Sequence, residues 1–261
     1  MQNEIEAERR NRTVNNFVLE VCADSVESVL AAQSGMATRI ELCGNLLIGG
    51  TTPGICLFQK VREVSDIRIH VLIRPRFGDF CYTDYEFEII KREVEQFRGL
   101  GAEGVVIGVL KQDGTLDLER MEILMEAAGT MSVTLHRAFD LCRDPYQAME
   151  QAKMLGIHTI LTSGQRNSCR EGKELLRELV SMEKGKTDIL IGGGVDADVI
   201  RDLQPYTKAH AFHMSGKEKI ESPMKYRKEG VSMGLPLFDE FTIFRTGEEN
   251  VRRARTVLEE L

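Results

Sequence analysis

No apolar run in this chain approaches the ~18 residues that a membrane-spanning helix needs. The longest, over residues 104–110, is only as long as a strand. An excess of basic charge is missing too. The 34 Lys and Arg face 41 Asp and Glu, for a net charge of −7, and no basic stripe runs along the chain. Such a protein is a poor partner for nucleic acid or an anionic membrane, so neither is expected. The six cysteines, Cys22, Cys43, Cys56, Cys81, Cys142 and Cys169, form no C-x-x-C pair and no zinc-site spacing. A chain of 261 residues does not need disulfide staples, so reduced thiols in a cytoplasmic protein are the expectation. The polar, Glu- and Arg-rich residues 1–16 lack the apolar core of a secretion signal and read as a fraying extension. No Pro/Ser/Gly-rich linker divides the remainder, so residues 17–261 are expected to form one domain.

What is present is a repeated unit: a short run rich in Val, Ile and Leu, a polar or glycine-bearing end, then an amphipathic helical segment. The runs fall at 17–23, 39–43, 68–74, 104–110, 132–138, 159–163, 188–192 and 209–215. Strands alternating with helices predict a parallel sheet with crossover helices. Eight units in ~245 residues match a (β/α)8 barrel of the TIM type. Asp24-Ser-Val-Glu27, Thr83-Asp-Tyr-Glu86 and Thr246-Gly-Glu-Glu249 read as capping boxes, and Thr52-Pro53 and Asp144-Pro145 as helix starts.

Side chains alternate along a strand. In the first run Leu19 and Val21 oppose Val18, Glu20 and Cys22. In the second, Ile40 and Leu42 oppose Arg39, Glu41 and Cys43. In the third, Ile69, Val71 and Ile73 oppose His70, Leu72 and Arg74. In the fifth, Val133 and Leu135 oppose Thr134, His136 and Ala138. The apolar sets must face the helices, which turns an unusually polar set into a barrel interior that is normally apolar. Buried and unpaired, Glu20, Glu41, Arg74 and His136 would be costly, so they pair with one another, meet water or bind something. Barrel enzymes keep their chemistry at these strand ends. Glu20, Glu41 and His136 are therefore acid/base candidates, with Arg74 and Arg76 as clamps for a small anion. Gly192, Gly193 and Gly194 end the seventh run and Ser215 the eighth, where many barrels hold a phosphate on backbone N–H groups; the plainer reading of the glycines is a tight turn. Cys22 and Cys43 each stand two residues after an inward Glu on neighbouring strands. They read either as packing residues or as a pair of soft thiolates suited to Cu(I). The segment 235–244 carries Phe238, Phe241 and Phe244, placed under the barrel, over its mouth or against a partner subunit.

Taken in order, several segments resemble the copper homeostasis family CutC. They are the run from Glu20-Val-Cys22 to Val29, Arg39-Ile-Glu-Leu-Cys43 with Gly49-Gly-Thr-Thr-Pro53, Ile73-Arg-Pro-Arg76 with Gly78-Asp-Phe80, His136-Arg-Ala-Phe-Asp140, Leu161-Thr-Ser-Gly164 and Gly192-Gly-Gly194. The resemblance runs from about Phe17 to the C-terminus. It implies a cytoplasmic barrel, a homo-oligomer such as a dimer, a part in copper homeostasis, and Cu(I) binding by two cysteines that match Cys22 and Cys43. The other reading is an enzyme that acts on a small anionic or phosphorylated substrate.

Overall fold

Eight short strands, rich in branched apolar residues and each followed by a helix, close on themselves in the computed structural model. It describes residues 17–183, 187–231, 233 and 239–261. The strands are β1 (Val18–Ala23), β2 (Arg39–Leu42), β3 (Arg68–Leu72), β4 (Gly104–Ile107), β5 (Ser132–Leu135), β6 (Thr159–Thr162), β7 (Asp188–Ile191) and β8 (Ala211–Met214). They pair in sequence order, all parallel, and β8 returns to β1. The helices are α1 (Val26–Ser34), α2 (Ile55–Val64), α3 (Asp84–Gly99), α4 (Leu118–Ala128), α5 (Pro145–Leu155), α6 (Lys173–Met182), α7 (Ala197–Thr207) and α8 (Glu248–Glu260). The expected TIM-type barrel is what forms. The segment 1–16 and Phe238 lie outside the described residues.

The strand faces divide as the alternation requires. Leu19, Val21, Ile40, Leu42, Ile69, Val71, Val133 and Leu135 are buried in the large core between strands and helices. The interior keeps two small apolar clusters, Leu161 with Leu190 and Ala211, and Cys22 with Cys43, Leu72 and Val106. Register sets Glu20 beside Arg39 on β2 and beside His213 on β8, and sets Cys22 beside Glu41. Two glycines make room for interior imidazoles. A Cβ on Gly104 would lie 2.6 Å from His70 Cδ2, and one on Gly108 would lie 2.6 Å from His136 Cε1.

Some helices start at the expected caps and others one or two residues away. Thr83 forms the expected capping box with Glu86, and Asp144 caps α5 with Pro145 in its first turn. The cap of α1 is Ser25 rather than Asp24, whose carboxylate instead accepts the Leu46 N–H. Helix α2 begins after Gly54, because Thr52 is engaged with Glu93 and with the Arg74 N–H. Gly247, not Thr246, precedes α8; the Thr246 hydroxyl donates to the Ser215 carbonyl.

One element was not anticipated. Between β8 and α8 an antiparallel hairpin, β9 (Lys217–Glu221) and β10 (Thr242–Thr246), folds over the C-terminal ends of the strands. Of the three aromatics singled out there, Phe244 faces the barrel mouth. Phe241 lies under the Arg227 guanidinium, 4.3 Å from its ring centre.

Candidate functional site

A cavity of about 530 Å³ occupies the mouth of the barrel. Strands and strand ends contribute Cys22, Glu41, Leu72, Arg74, His136 and His213, and β10 contributes Thr242 to Thr246. The structure thus brings Cys22, Glu41, Arg74, His136 and Ser215 to one cavity. Glu20 lies in the layer behind, fully buried.

The centre of the polar set is His213, which projects inward from β8. Its Nδ1 lies 2.7 Å from Glu20 Oε1, while the other Glu20 oxygen bonds Arg39 Nε. Its Nε2 lies 3.8 Å from Glu41 Oε2. Cys22 Sγ, a Glu41 oxygen and a His213 ring nitrogen all fall within 4.8 Å of one another. Among the described residues this is the single cluster of His, Cys, Asp and Glu able to hold a metal ion. Cys43 is not part of it. Its thiol donates to the Glu41 carbonyl at 3.6 Å, and it packs in the same apolar cluster as Cys22.

The charges at this centre follow from burial and pairing. Burial raises the pKa of Glu20, but Arg39 and His213 outweigh it and hold the carboxyl well below the usual range. Burial, with Glu20 nearby, pushes Glu41 up despite His213. Burial alone would depress His213; Cys22, Glu20 and Glu41 together hold it well above the ordinary histidine value. Burial, Glu41 and Cys22 push the Cys43 thiol well up. Glu20 is therefore a fixed anion, pinned between two cations, and does not exchange protons near neutral pH. Glu41 and His213 are the groups there that can hold or release one.

His136 stands on the far wall. Its Nδ1 accepts the Ala138 N–H at 3.2 Å, and its ring packs 4.5 Å from that of Phe80. Burial and the Arg74 charge lower its pKa to about 3, so it is a neutral imidazole. Arg74 reaches the cavity, but both terminal nitrogens are engaged: Nη1 donates to the Gly49 and Gly50 carbonyls, Nη2 to that of Gly78. It fastens two loops as much as it faces a ligand. Arg76 is turned elsewhere, onto Glu86, Asp79 and the Tyr82 ring, and does not line the cavity.

The glycine run serves the backbone more than a ligand. A Cβ on Gly192 would meet Leu161 Cδ1 at 2.6 Å, and Gly193, at φ 90°, accepts the Cys169 N–H at 2.9 Å. Gly194 and Ser215 line a second cavity of about 350 Å³ with Lys217, Asn250 and Arg253. Asp196 lies there too, and its own carboxylate caps the N-terminus of α7, where an anion would otherwise sit.

His213 and Arg137 are the site residues that the sequence reading did not assign. Alternation along β8 puts His213 opposite the core residues Phe212 and Met214, so a signal was present. For Arg137 strand periodicity gives none, because the strand has already given way to a 3₁₀ turn over Arg137–Leu141; its one signal is its place in the His136-Arg-Ala-Phe-Asp140 segment.

A model of the CutC family matches residues 17–218. A CutC family protein from Bacteroides thetaiotaomicron is 44% identical over 247 residues, spanning 94% of this chain and 97% of the relative. A copper homeostasis protein cutC homolog from Mus musculus is 38% identical over 248 residues, spanning 95% and 91%. The crystal structure of a CutC protein from Streptococcus agalactiae superposes with a TM-score of 0.73 at 28% identity, covering 76% of this chain and 98% of that one.

Proposed function

The chain belongs to the CutC family, and from that premise we propose that it serves copper homeostasis by holding Cu(I) as cargo inside the barrel mouth. Cys22 Sγ and His213 Nε2 are the principal ligands, with Glu41 beside them. The observation that carries this reading is the approach of these three residues' ligand atoms to within 4.8 Å of one another. The Glu20 bond to Nδ1 supports it, since it fixes the ring so that Nε2 turns to the site and supplies the metal-binding lone pair once copper displaces its proton. Thiolate and imidazole are soft enough for Cu(I). Cys43 is a further thiol in the same apolar cluster, but it stands outside the group of converging ligand atoms, and its Sγ donates to the Glu41 carbonyl.

X-ray absorption at the copper edge of the Cu(I)-loaded protein tests the ligand set. A mixed sulfur and nitrogen shell that loses its sulfur in Cys22→Ser is the expected result. An all-sulfur shell that survives this substitution contradicts it. The same reading places the protein in the cytoplasm, where thiols stay reduced, and as a homodimer, the commonest symmetric assembly. Light scattering that reports a monomer at high concentration overturns the dimer.

A further inference from the structure

His136 and Arg137 follow β5, four strands around the closed barrel from β1. Both line the mouth cavity, and copper binding at Cys22 and His213 uses neither. His136 is only 4% exposed. Because its Nδ1 accepts the Ala138 N–H, the ring hydrogen of the neutral imidazole sits on Nε2, and that atom has no partner. A buried donor without an acceptor is costly, and a ligand oxygen would remove the cost. Contact with Phe80 fixes the ring.

Arg137 is positioned with equal care. Its Nε donates to Asp140 Oδ2 at 2.6 Å, and its Nη2 donates to Ser163 Oγ at 2.8 Å and to the Arg166 carbonyl at 3.3 Å. Asp140 is itself fixed by the N–H groups of Ser163 and Gln165, each at 3.1 Å. Nη1 is the edge left over, with no hydrogen bond among the described residues. An arginine held in this way is pre-organised for an anion. Lys217 brings a further cation to the cavity from the hairpin, while Arg245, which also lines it, is paired with Glu27 at 3.2 Å. Leu46, Leu72, Phe80 and Phe244 supply apolar wall, which favours an anion that carries carbon over a bare inorganic one.

We propose that this wall is a binding site for a small organic acid. Its carboxylate sits on Arg137 Nη1, and a carbonyl or hydroxyl oxygen of the same molecule accepts from His136 Nε2. The site shares the cavity with the copper ligands but uses none of them.

The test is imidazole ¹⁵N NMR with affinity measurement, using 2-oxobutyrate and 2-hydroxybutyrate as probes, with butyrate and inorganic phosphate as comparators. In the native protein the His136 Nε2 resonance shifts with either probe and far less with butyrate or phosphate. Arg137→Lys weakens binding by roughly tenfold or more, the scale of one hydrogen bond to a charged group. His136→Asn keeps an acceptor for the Ala138 N–H, withdraws the Nε2 donor and abolishes the preference over butyrate. Cys56→Ser, at an exposed thiol outside the cavity, leaves all of this unchanged. A native spectrum that neither probe moves at high millimolar concentration overturns the proposal, whatever the variants do. Equal response to phosphate overturns the organic assignment, and binding that survives both substitutions overturns the residues named.

Discussion

Glu20 Oε1 and His213 Nδ1 lie 2.7 Å apart across the β1–β8 seam of the barrel. Because Arg39 holds the other carboxylate oxygen, Glu20 stays ionised and dictates which face of the imidazole is turned to the cavity. Glu20→Gln keeps the shape and removes the charge. Breaking a buried pair in this way is expected to cost about 3 kcal/mol of stability. Loss of the carboxylate behind a ligating histidine is expected to weaken copper binding roughly 10–100-fold. Chemical denaturation and a chelator competition measure the two effects, and unchanged copper affinity would remove the role given to Glu20.

Protonation supplies a second test. Burial, first of all, holds His70 at about 4 and His136 at about 3, below the ~6.5 of an unfolded histidine. Below pH 6.5 the unfolded chain therefore binds protons that these groups refuse, and the native state loses stability as the pH falls. Each contributes up to about 1.4 kcal/mol per pH unit until its folded value is reached. Glu41, raised in the folded state, works the other way in the window just above its unfolded value. His213, also raised, adds stability that is fully present below pH 6.5 and is lost as the pH rises through its folded value. Thermal melts at pH 6.5 and 4.5 should fall less steeply in His70→Asn and His136→Asn than in the native protein. Identical pH dependence would show that these imidazoles are not held neutral.

The glycines of β4 and its end make a packing prediction. Gly108→Ala would place a Cβ 2.6 Å from His136 Cε1 and 3.0 Å from Ala138 Cβ. Overpacking of this kind costs roughly 1–3 kcal/mol. Gly99→Ala, with nothing within 4 Å, is the control and should be neutral or slightly stabilising. Denaturation midpoints decide it; an unperturbed Gly108→Ala protein would mean that the His136 ring has room to move.

Strand periodicity made most of this arrangement legible. Glu20, Glu41, Arg74 and His136 were identified as interior residues by their opposition to Leu19, Ile40, Ile73 and Val133, and all four are buried. The same rule, applied to Ala211-Phe-His-Met214, gives His213. Periodicity fails where strands stop. Arg76 lies past the end of β3, and its neighbours Glu86 and Asp79, rather than an alternation, set its direction. Arg137 is carried into the cavity by a turn. The hairpin was hidden for a different reason. Lys217-Glu-Lys-Ile-Glu221 reads as a solvated stretch, and its pairing with Thr242–Thr246 is non-local, so neither strand announces the other.

The most direct measurement is a Cu(I) titration under reducing conditions against a competing chelator. It compares the native protein with Cys22→Ser, His213→Asn, Cys43→Ser and the surface control Cys56→Ser. The account predicts a sharp fall in affinity for Cys22→Ser and for His213→Asn, because a hydroxyl is a hard ligand and an Asn side chain offers no imidazole nitrogen. Cys43→Ser should have a smaller effect and Cys56→Ser none. Native-like Cu(I) affinity in the Cys22→Ser/His213→Asn double variant would contradict the account, because the metal would then be held outside the barrel mouth.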